Sequence, residues 1–263
     1  MTDRRALPNL TIVALAHNEA RHIRSCFRSF GPLTARPDVS TLIVLDSRAD
    51  AETTRVAEET AERVVTSRFV NFSQQRNRGL DEATSEWVFF VDPDERCTPA
   101  LAREIAEAIE SNRNAAYRVP RRNILFGHEV RHTGWWPDYQ IRLLRRELCR
   151  YDESREVHEV PQVLGEIGTL PEPLIHYNYE TRRQFIRKQW AYASYDARAL
   201  YLSGRRANPR NMLGQSLREF KRRFIEYDGY RDGLLGFSLS VAMMLYTAET
   251  YRRLLLLQRR AGN

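Results

Sequence analysis

The segment Trp87-Val88-Phe89-Phe90-Val91-Asp92-Pro93-Asp94-Glu95 decides the fold. An unbroken apolar and aromatic run reads as a strand buried on both faces, the habit of strands in parallel sheets. Asp92 and Asp94 then stand at the carboxyl edge of the sheet, where open α/β folds bind ligands. In extended chain, residues i and i+2 point the same way, so the two carboxylates are expected to face one target. Pro93 between them stiffens the backbone. Carboxylates held side by side repel unless a cation lies between them. A hard divalent ion, Mg²⁺ or Mn²⁺, shared with a substrate's phosphates suits such a site. The plain alternative is an acidic turn leading into the helix that Thr98 and Pro99 begin.

Upstream, Leu10–Ala16, Thr41–Leu45 and Arg63–Val65 read as further strands. Helices are expected at 19–30, at 51–61 behind an Asp50 cap, and at 73–83. Strand–helix units of this length imply a largely parallel, doubly wound sheet, Rossmann-like over the first 120 or so residues. Beyond Val119 the stretch 121–134 looks polar and irregular. Short strands are expected at 139–144 and 170–176, with a loop-rich stretch at 161–173. From Arg182 onward everything reads helical: 182–203, then 209–227 behind Asn208, then 233–257. A boundary near residue 180 therefore separates an expected catalytic domain, 1–180, from a helical region, 181–263.

Composition narrows the class. The chain has 263 residues, 42% apolar and 10% aromatic, with 12 glycines and 11 prolines, which excludes disordered and collagen-like chains. Three well-separated cysteines, Cys26, Cys97 and Cys149, form no CxxC pair and point to a reducing compartment. The apolar run from Leu10 ends at His17-Asn18-Glu19, too soon for a secretion signal, so a cytoplasmic location is expected. The net charge of +7 is unevenly spread. From Arg182 on, 17 basic and 6 acidic residues give +11, whereas the preceding residues are mildly acidic.

Asp92-Pro93-Asp94-Glu95 resembles the DxD signature of family 2 glycosyltransferases of GT-A fold. The neighbouring segments resemble that family in the same order: Gln75-Arg76-Asn77, Ala83-Thr84-Ser85-Glu86-Trp87, the Asn18-Glu19 turn, Asp46-Ser47, Gly134-Trp135-Trp136-Pro137-Asp138, Gln140-Ile141-Arg142-Leu143, Val157-His158-Glu159 and Ile175-His176-Tyr177. Together they are similar to the bacterial branch of lipopolysaccharide inner-core β-glucosyltransferases and cover roughly residues 8–257. The resemblance implies a GT-A mixed sheet, and the residues of the C-terminal helices add the expectation of a membrane-associating appendage. It also implies an inverting, metal-dependent transfer of a hexose from a UDP-sugar, UDP-glucose first, to a lipopolysaccharide-core or related surface-glycan acceptor.

Carried over position by position, the resemblance gives Asp46 a hydrogen bond to the uracil and sets Asn18 and Glu19 in the same pocket. The stretch Asp46–Asp50 is one residue shorter than the family's usual form and lacks its glycine. Arg76 and Asn77 read either as nucleotide contacts or as a solvated helix face. Asp92 would meet the ribose or the ion, Asp94 would be the main metal ligand and His176 the second. Glu159 stands where the family carries its catalytic acid residue, beside His158, and Asp138 is the other candidate base. Of Trp135 and Trp136, one is expected in the core and one against the sugar. Arg142 is expected on the diphosphate, where a guanidinium fits.

The C-terminal helices pair apolar residues with cations. Met212, Leu213, Leu217, Phe220, Phe224 and Ile225 lie near Arg218, Lys221, Arg222 and Arg223, an arrangement that suits an anionic bilayer surface. The uncharged run 233–248 is too short and polar for a span. Peripheral attachment to the inner face of the cytoplasmic membrane is the expectation; packing on the body or on a second subunit is the alternative. Other readings are a haloacid dehalogenase-type phosphatase with Asp92 as nucleophile, a sugar nucleotidyltransferase, and a basic adaptor. The first wants Thr or Val where Arg96 stands, the second a glycine-rich N-terminal loop, and the third leaves the carboxylates without a role. No RNA-binding signature is present, so no nucleic-acid partner is expected.

Overall fold

Ile12 and Ala14 pack on one face of β1 (Leu10–Ala16) and Val13 on the other, and both faces are buried. The same alternation runs through β4 (Trp87–Val91): Trp87, Phe89 and Val91 join the first core, Val88 and Phe90 the second. Cover on both faces is what makes these strands continuously apolar. The computed structural model describes residues 9–154 and 160–261.

The remaining strands are β2 (Val39–Asp46), β3 (Arg63–Ser67), β5 (Glu95–Arg96), β6 (Ala116–Leu125), β7 (His128–Glu129), β8 (Asp138–Arg145), β9 (Cys149–Tyr151), β10 (Pro161–Val163), β11 (Ile167–Thr169) and β12 (Leu174–Tyr179). The main sheet runs β3-β2-β1-β4-β8-β6-β12-β5, with β7 and β11 also paired to β6. β3, β2, β1 and β4 are parallel, and β8 is antiparallel to both β4 and β6. The sheet is thus mixed, as the resemblance to the GT-A fold implies, and its parallel part is the first four strands, where a parallel sheet was expected. The stretch 121–134, expected to be irregular, begins inside the ten-residue strand β6 and includes β7. The expected loop at 161–173 contains β10 and β11.

Helices α1 (Ala20–Ser29), α2 (Gly31–Thr34), α3 (Ala51–Glu58), α4 (Phe72–Glu82) and α5 (Pro99–Ser111) connect the strands. Asp50 caps α3 by accepting the Thr53 N–H at 2.6 Å, and Thr98 caps α5 through the Leu101 N–H at 3.1 Å. Gly79 brings α4 against the sheet, since a Cβ there would meet Val13 and Phe90. That contact fixes the start of α4 at the carboxyl edge. Then come α6 (Arg182–Leu202), α7 (Pro209–Lys221), a π-turn over Arg222–Glu226, a 3₁₀ turn over Gly229–Asp232, and α8 (Gly233–Ala261).

The chain forms two compact units, one of residues up to Arg121 with Asp138–His176, the other of Arg122–Pro137 with the chain from Tyr177 on. The sequence boundary near residue 180 lies close to this second crossing but leaves out 122–137. That segment joins the second unit because Val130 and the Trp135 ring pack with Tyr179, Phe185, Leu239 and Met243. Among the described residues no helix is long and apolar enough to cross a membrane.

Candidate active site

β4 ends at Val91, and the chain turns at once. The Glu95 N–H donates to the Asp92 carbonyl at 2.9 Å, and the Asp92 N–H donates to the Glu95 carboxylate at 2.9 Å. This tight turn replaces the extended geometry expected of Asp92 and Asp94, and the two carboxylates meet different partners.

Asp92 faces arginines. Arg142 on β8 donates to its two oxygens at 3.3 and 2.5 Å, and Arg76 on α4 approaches at 3.4 Å. Arg142 also donates to Glu95 at 2.5 Å, and Glu95 is fully buried. Arg121 continues the chain of charges, 3.7 Å from Glu95 and 2.6 Å from Asp138. Burial works against charge on Asp92, yet Arg142 and Arg76 prevail and hold its carboxyl far below the ordinary carboxylate range. Burial, with the neighbouring Asp92 charge, pushes the Glu95 carboxyl up despite Arg142. Arg142, expected on the diphosphate, is itself buried and spends its terminal nitrogens on these two acids.

Asp94 turns the other way. Its Oδ2 lies 3.5 Å from the Nε2 of His176, and its side chain is one-third exposed (33%). The fold builds this pair by laying β12 antiparallel on β5, with His176 opposite Glu95. A carboxylate oxygen and an imidazole nitrogen at this separation match the donor chemistry of Mn²⁺ or Mg²⁺ bound mainly through a substrate's phosphates. No group of three or more acidic, histidine or cysteine side chains is arranged to hold an ion by itself among the described residues.

Along the same sheet edge, a cavity of about 640 Å³ opens at the ends of β1 and β2. Asn18, Glu19 and Asp46, all expected there, line it with His17, Arg48, Phe69, Phe72 and Gln75. Buried Asp46 accepts from the Arg48 N–H at 3.1 Å and from its Nη2 at 2.9 Å. These bonds hold its carboxyl down at about 2. Asn18 Oδ1 accepts the Asp50 N–H at 2.9 Å, tying the cavity's rim to the cap of α3. Phe69 and Phe72 meet edge to face at 5.0 Å, and Phe72 is half exposed. Buried Gln75 donates to the Ser67 carbonyl at 3.3 Å, while its Oε1 has no hydrogen-bond partner.

Arg76 and Asn77 are both buried, so neither lies on a solvated helix face. Asn77 is consumed in pinning β9: it donates to the Tyr151 carbonyl and accepts the Tyr151 N–H, each at 2.9 Å, and also donates to Glu153 at 2.7 Å. Asp138 receives Arg121 on one oxygen and Gln140, at 2.9 Å, on the other. Glu159 and His158 lie outside the described residues. In the second unit Trp135 packs against Tyr179 and Phe185, the core place expected of one of the pair, while Trp136 is 38% exposed. Arg48, Phe69 and Phe72 were not singled out by sequence reasoning, and Gln75 entered it only within the Gln75-Arg76-Asn77 segment, without a role. The available signal was a pair of aromatic residues flanking Asn71, the cap of α4.

The family model described as glycosyl transferase family 2 matches residues 11–155, more than half of the chain. The lipopolysaccharide core biosynthesis glycosyltransferase LpsC of Rhizobium meliloti (strain 1021) is 25% identical over 262 residues, covering 94% of each chain. The SPbeta prophage-derived glycosyltransferase SunS of Bacillus subtilis (strain 168) is 30% identical over 90 residues, 33% of this chain and 20% of SunS. Among solved structures, S. aureus TarS 1-349 in complex with UDP superposes with a TM-score of 0.47 at 12% identity, over 96% of this chain and 92% of that one.

Proposed function

The chain belongs to glycosyltransferase family 2, and from that premise we propose that it transfers a hexose with inversion from a UDP-sugar, UDP-glucose first, to a lipopolysaccharide-core or related surface glycan. The observation that carries this reading is the Asp94–His176 pair on the same carboxyl edge as the cavity floored by Asp46. The similarity to LpsC, named for lipopolysaccharide core biosynthesis and matched over nearly its whole length, supports the acceptor class.

In this reading the cavity takes the uridine. Asp46, ionised at every ordinary pH, accepts the base's N–H once Arg48 swings aside; the Arg48 side chain is 60% exposed and free to do so. Phe72 offers a half-exposed ring for stacking on the base. Asp94 and His176 hold the divalent ion, which when bound offsets charge on the departing diphosphate. Asp92, neutralised by Arg142 and Arg76, acts as a positioning residue that fixes the turn carrying Asp94.

Glu159 is the base that takes the acceptor hydroxyl's proton, on its place in the motif order. Asp138 is the weaker candidate because both of its oxygens are already engaged. The acceptor is a glycan or glycolipid met at the inner face of the cytoplasmic membrane, where the enzyme works as a peripheral protein.

The test is a thermal-shift panel of UDP-, GDP- and TDP-sugars with and without Mn²⁺. Stabilisation grows with ligand concentration over dissociation constant, so UDP-glucose with Mn²⁺ should give the largest shift. Equal shifts for every nucleotide sugar, with no response to Mn²⁺, would refute the donor assignment.

A further inference from the structure

In the second unit an apolar surface runs unbroken from α7 to the first turns of α8. Leu213 and Leu217 lie one turn apart on α7 and are 61% and 54% exposed. Next come Phe220 and Phe224, stacked at 5.4 Å, with Phe237 of α8 edge-on to both at 6.0 and 5.7 Å. Leu234, one turn before Phe237, is 89% exposed. An isolated exposed leucine needs no explanation, but a contiguous patch of six large apolar side chains does.

The charges around it identify the occupant. Arg210 precedes Leu213 by one turn, Arg218 follows Leu217, and Arg231 stands three residues before Leu234, in the 3₁₀ turn that leads into α8. All three are exposed, and among the described residues none has an ion-pair partner. By contrast, Arg222 and Arg223 at the same end of α7 both pair with Glu219. Unpaired cations ringing exposed leucine and phenylalanine match an anionic lipid surface, where apolar tips enter the acyl boundary and cations stay at the headgroups. A two-fold dimer through the same patch would set these arginines against their own copies, which disfavours self-association.

We infer that this face of α7 and α8, led by Leu213, Leu217, Leu234 and Phe237 and rimmed by Arg210, Arg218 and Arg231, docks the enzyme on anionic bilayer. The inference deepens the peripheral-membrane reading given above by naming the surface that makes the contact.

The experiment is co-sedimentation of the full chain with vesicles of phosphatidylcholine alone or with phosphatidylglycerol added. Release of UDP from UDP-glucose in vesicle-free buffer is measured on the same preparations. Wild type should bind only the anionic vesicles, and added salt should weaken the binding. With each surface cation worth roughly a fivefold factor, Arg210→Gln/Arg218→Gln/Arg231→Gln should lower partitioning about a hundredfold. Leu213→Glu/Leu217→Glu/Leu234→Glu should abolish it. Neither variant should change UDP release or the unfolding temperature, because the altered side chains are exposed. A docking face on a protein that releases no UDP would leave this inference intact and overturn only the donor assignment. Wild-type-like vesicle binding by the glutamate variant would overturn the inference. So would wild type that ignores anionic vesicles, or a dimer that these substitutions dissociate.

Discussion

The carboxylate of Asp94 and the imidazole of His176 lie 3.5 Å apart, although one follows β4 and the other sits on β12. A two-residue strand, β5, makes the meeting by pairing with β12 directly after the turn that carries Asp94. The same turn sends Asp92 to Arg142. Asp92 is thereby engaged by Arg142, while Asp94 stays one-third exposed beside His176; in the proposed function Asp92 holds the frame and Asp94 serves the ion.

That division makes Arg142 a stability residue. Arg142→Met leaves Asp92 and buried Glu95 without their shared counter-ion, and breaking a buried pair from one side costs about 3–5 kcal/mol. The loss should be largest at neutral pH. Arg142 depresses the Asp92 carboxyl in the folded protein, so its contribution is present above the ordinary carboxylate range and is lost as pH falls. Urea unfolding at pH 7 and at about pH 2 should show the gap between wild type and variant narrowing, with most of the change below about pH 4; a pH-independent gap would contradict the assignment.

Phe72 should matter to nucleotide affinity and little to folding, because half of its surface is exposed. Base–aromatic stacking is worth about 1–3 kcal/mol per base. Phe72→Ala should therefore weaken UDP binding by about fivefold or more in calorimetry, with the unfolding temperature unchanged. An unaltered dissociation constant would remove Phe72 from the base pocket.

Asp46 offers a test through pH alone. Arg48 hydrogen bonds bring its carboxyl to about 2, against about 3.9 in an unfolded chain. A depressed folded value stabilises above the unfolded one and loses that contribution as pH falls through the folded one. Wild type should thus exceed Asp46→Asn in stability at pH 7, and the difference should shrink between about pH 5 and pH 2. A constant difference over that range would show that the carboxylate's charge is not what Arg48 holds.

Much of this was legible in the sequence where burial is two-sided. Leu10–Ala16 and Trp87–Val91 form strands with the bounds expected, because every side chain in them is apolar or small and both faces are covered. β6 was illegible for the opposite reason. Pro120 and three arginines break its apolar pattern, and only tertiary partners make them acceptable there. Arg118 bonds Thr169 and lies over the Tyr139 ring at 4.5 Å, while Arg121 bonds Asp138. At the site, residue types gave the acids and the histidine. The separation of Asp92 from Asp94 was hidden, because it depends on Glu95 folding back to cap Asp92 and on an arginine that arrives from β8.

Gly236 is required by packing. A Cβ there would overlap the carbonyl of Gly229 in the preceding 3₁₀ turn. Gly236→Ala should destabilise the second unit by about 1–3 kcal/mol, the usual cost of overpacking. Gly214 on α7 has nothing within 4 Å of the same position, so Gly214→Ala should stabilise by about 0.5–1 kcal/mol. Chemical denaturation of both variants checks the pair; equal shifts would contradict the packing described.

The most direct measurement is Mn²⁺ binding in the presence of UDP, followed by calorimetry or by the loss of free-ion paramagnetic resonance, for wild type, Asp94→Ala and Asp92→Asn. Asp94→Ala should lose at least about tenfold in Mn²⁺ affinity while still binding UDP, as expected for removal of a ligand. Asp92→Asn should bind the ion nearly as wild type does and pay mainly in stability. Full Mn²⁺ affinity in Asp94→Ala, with its loss in Asp92→Asn, would mean that the ion is held by the acid that Arg142 now occupies.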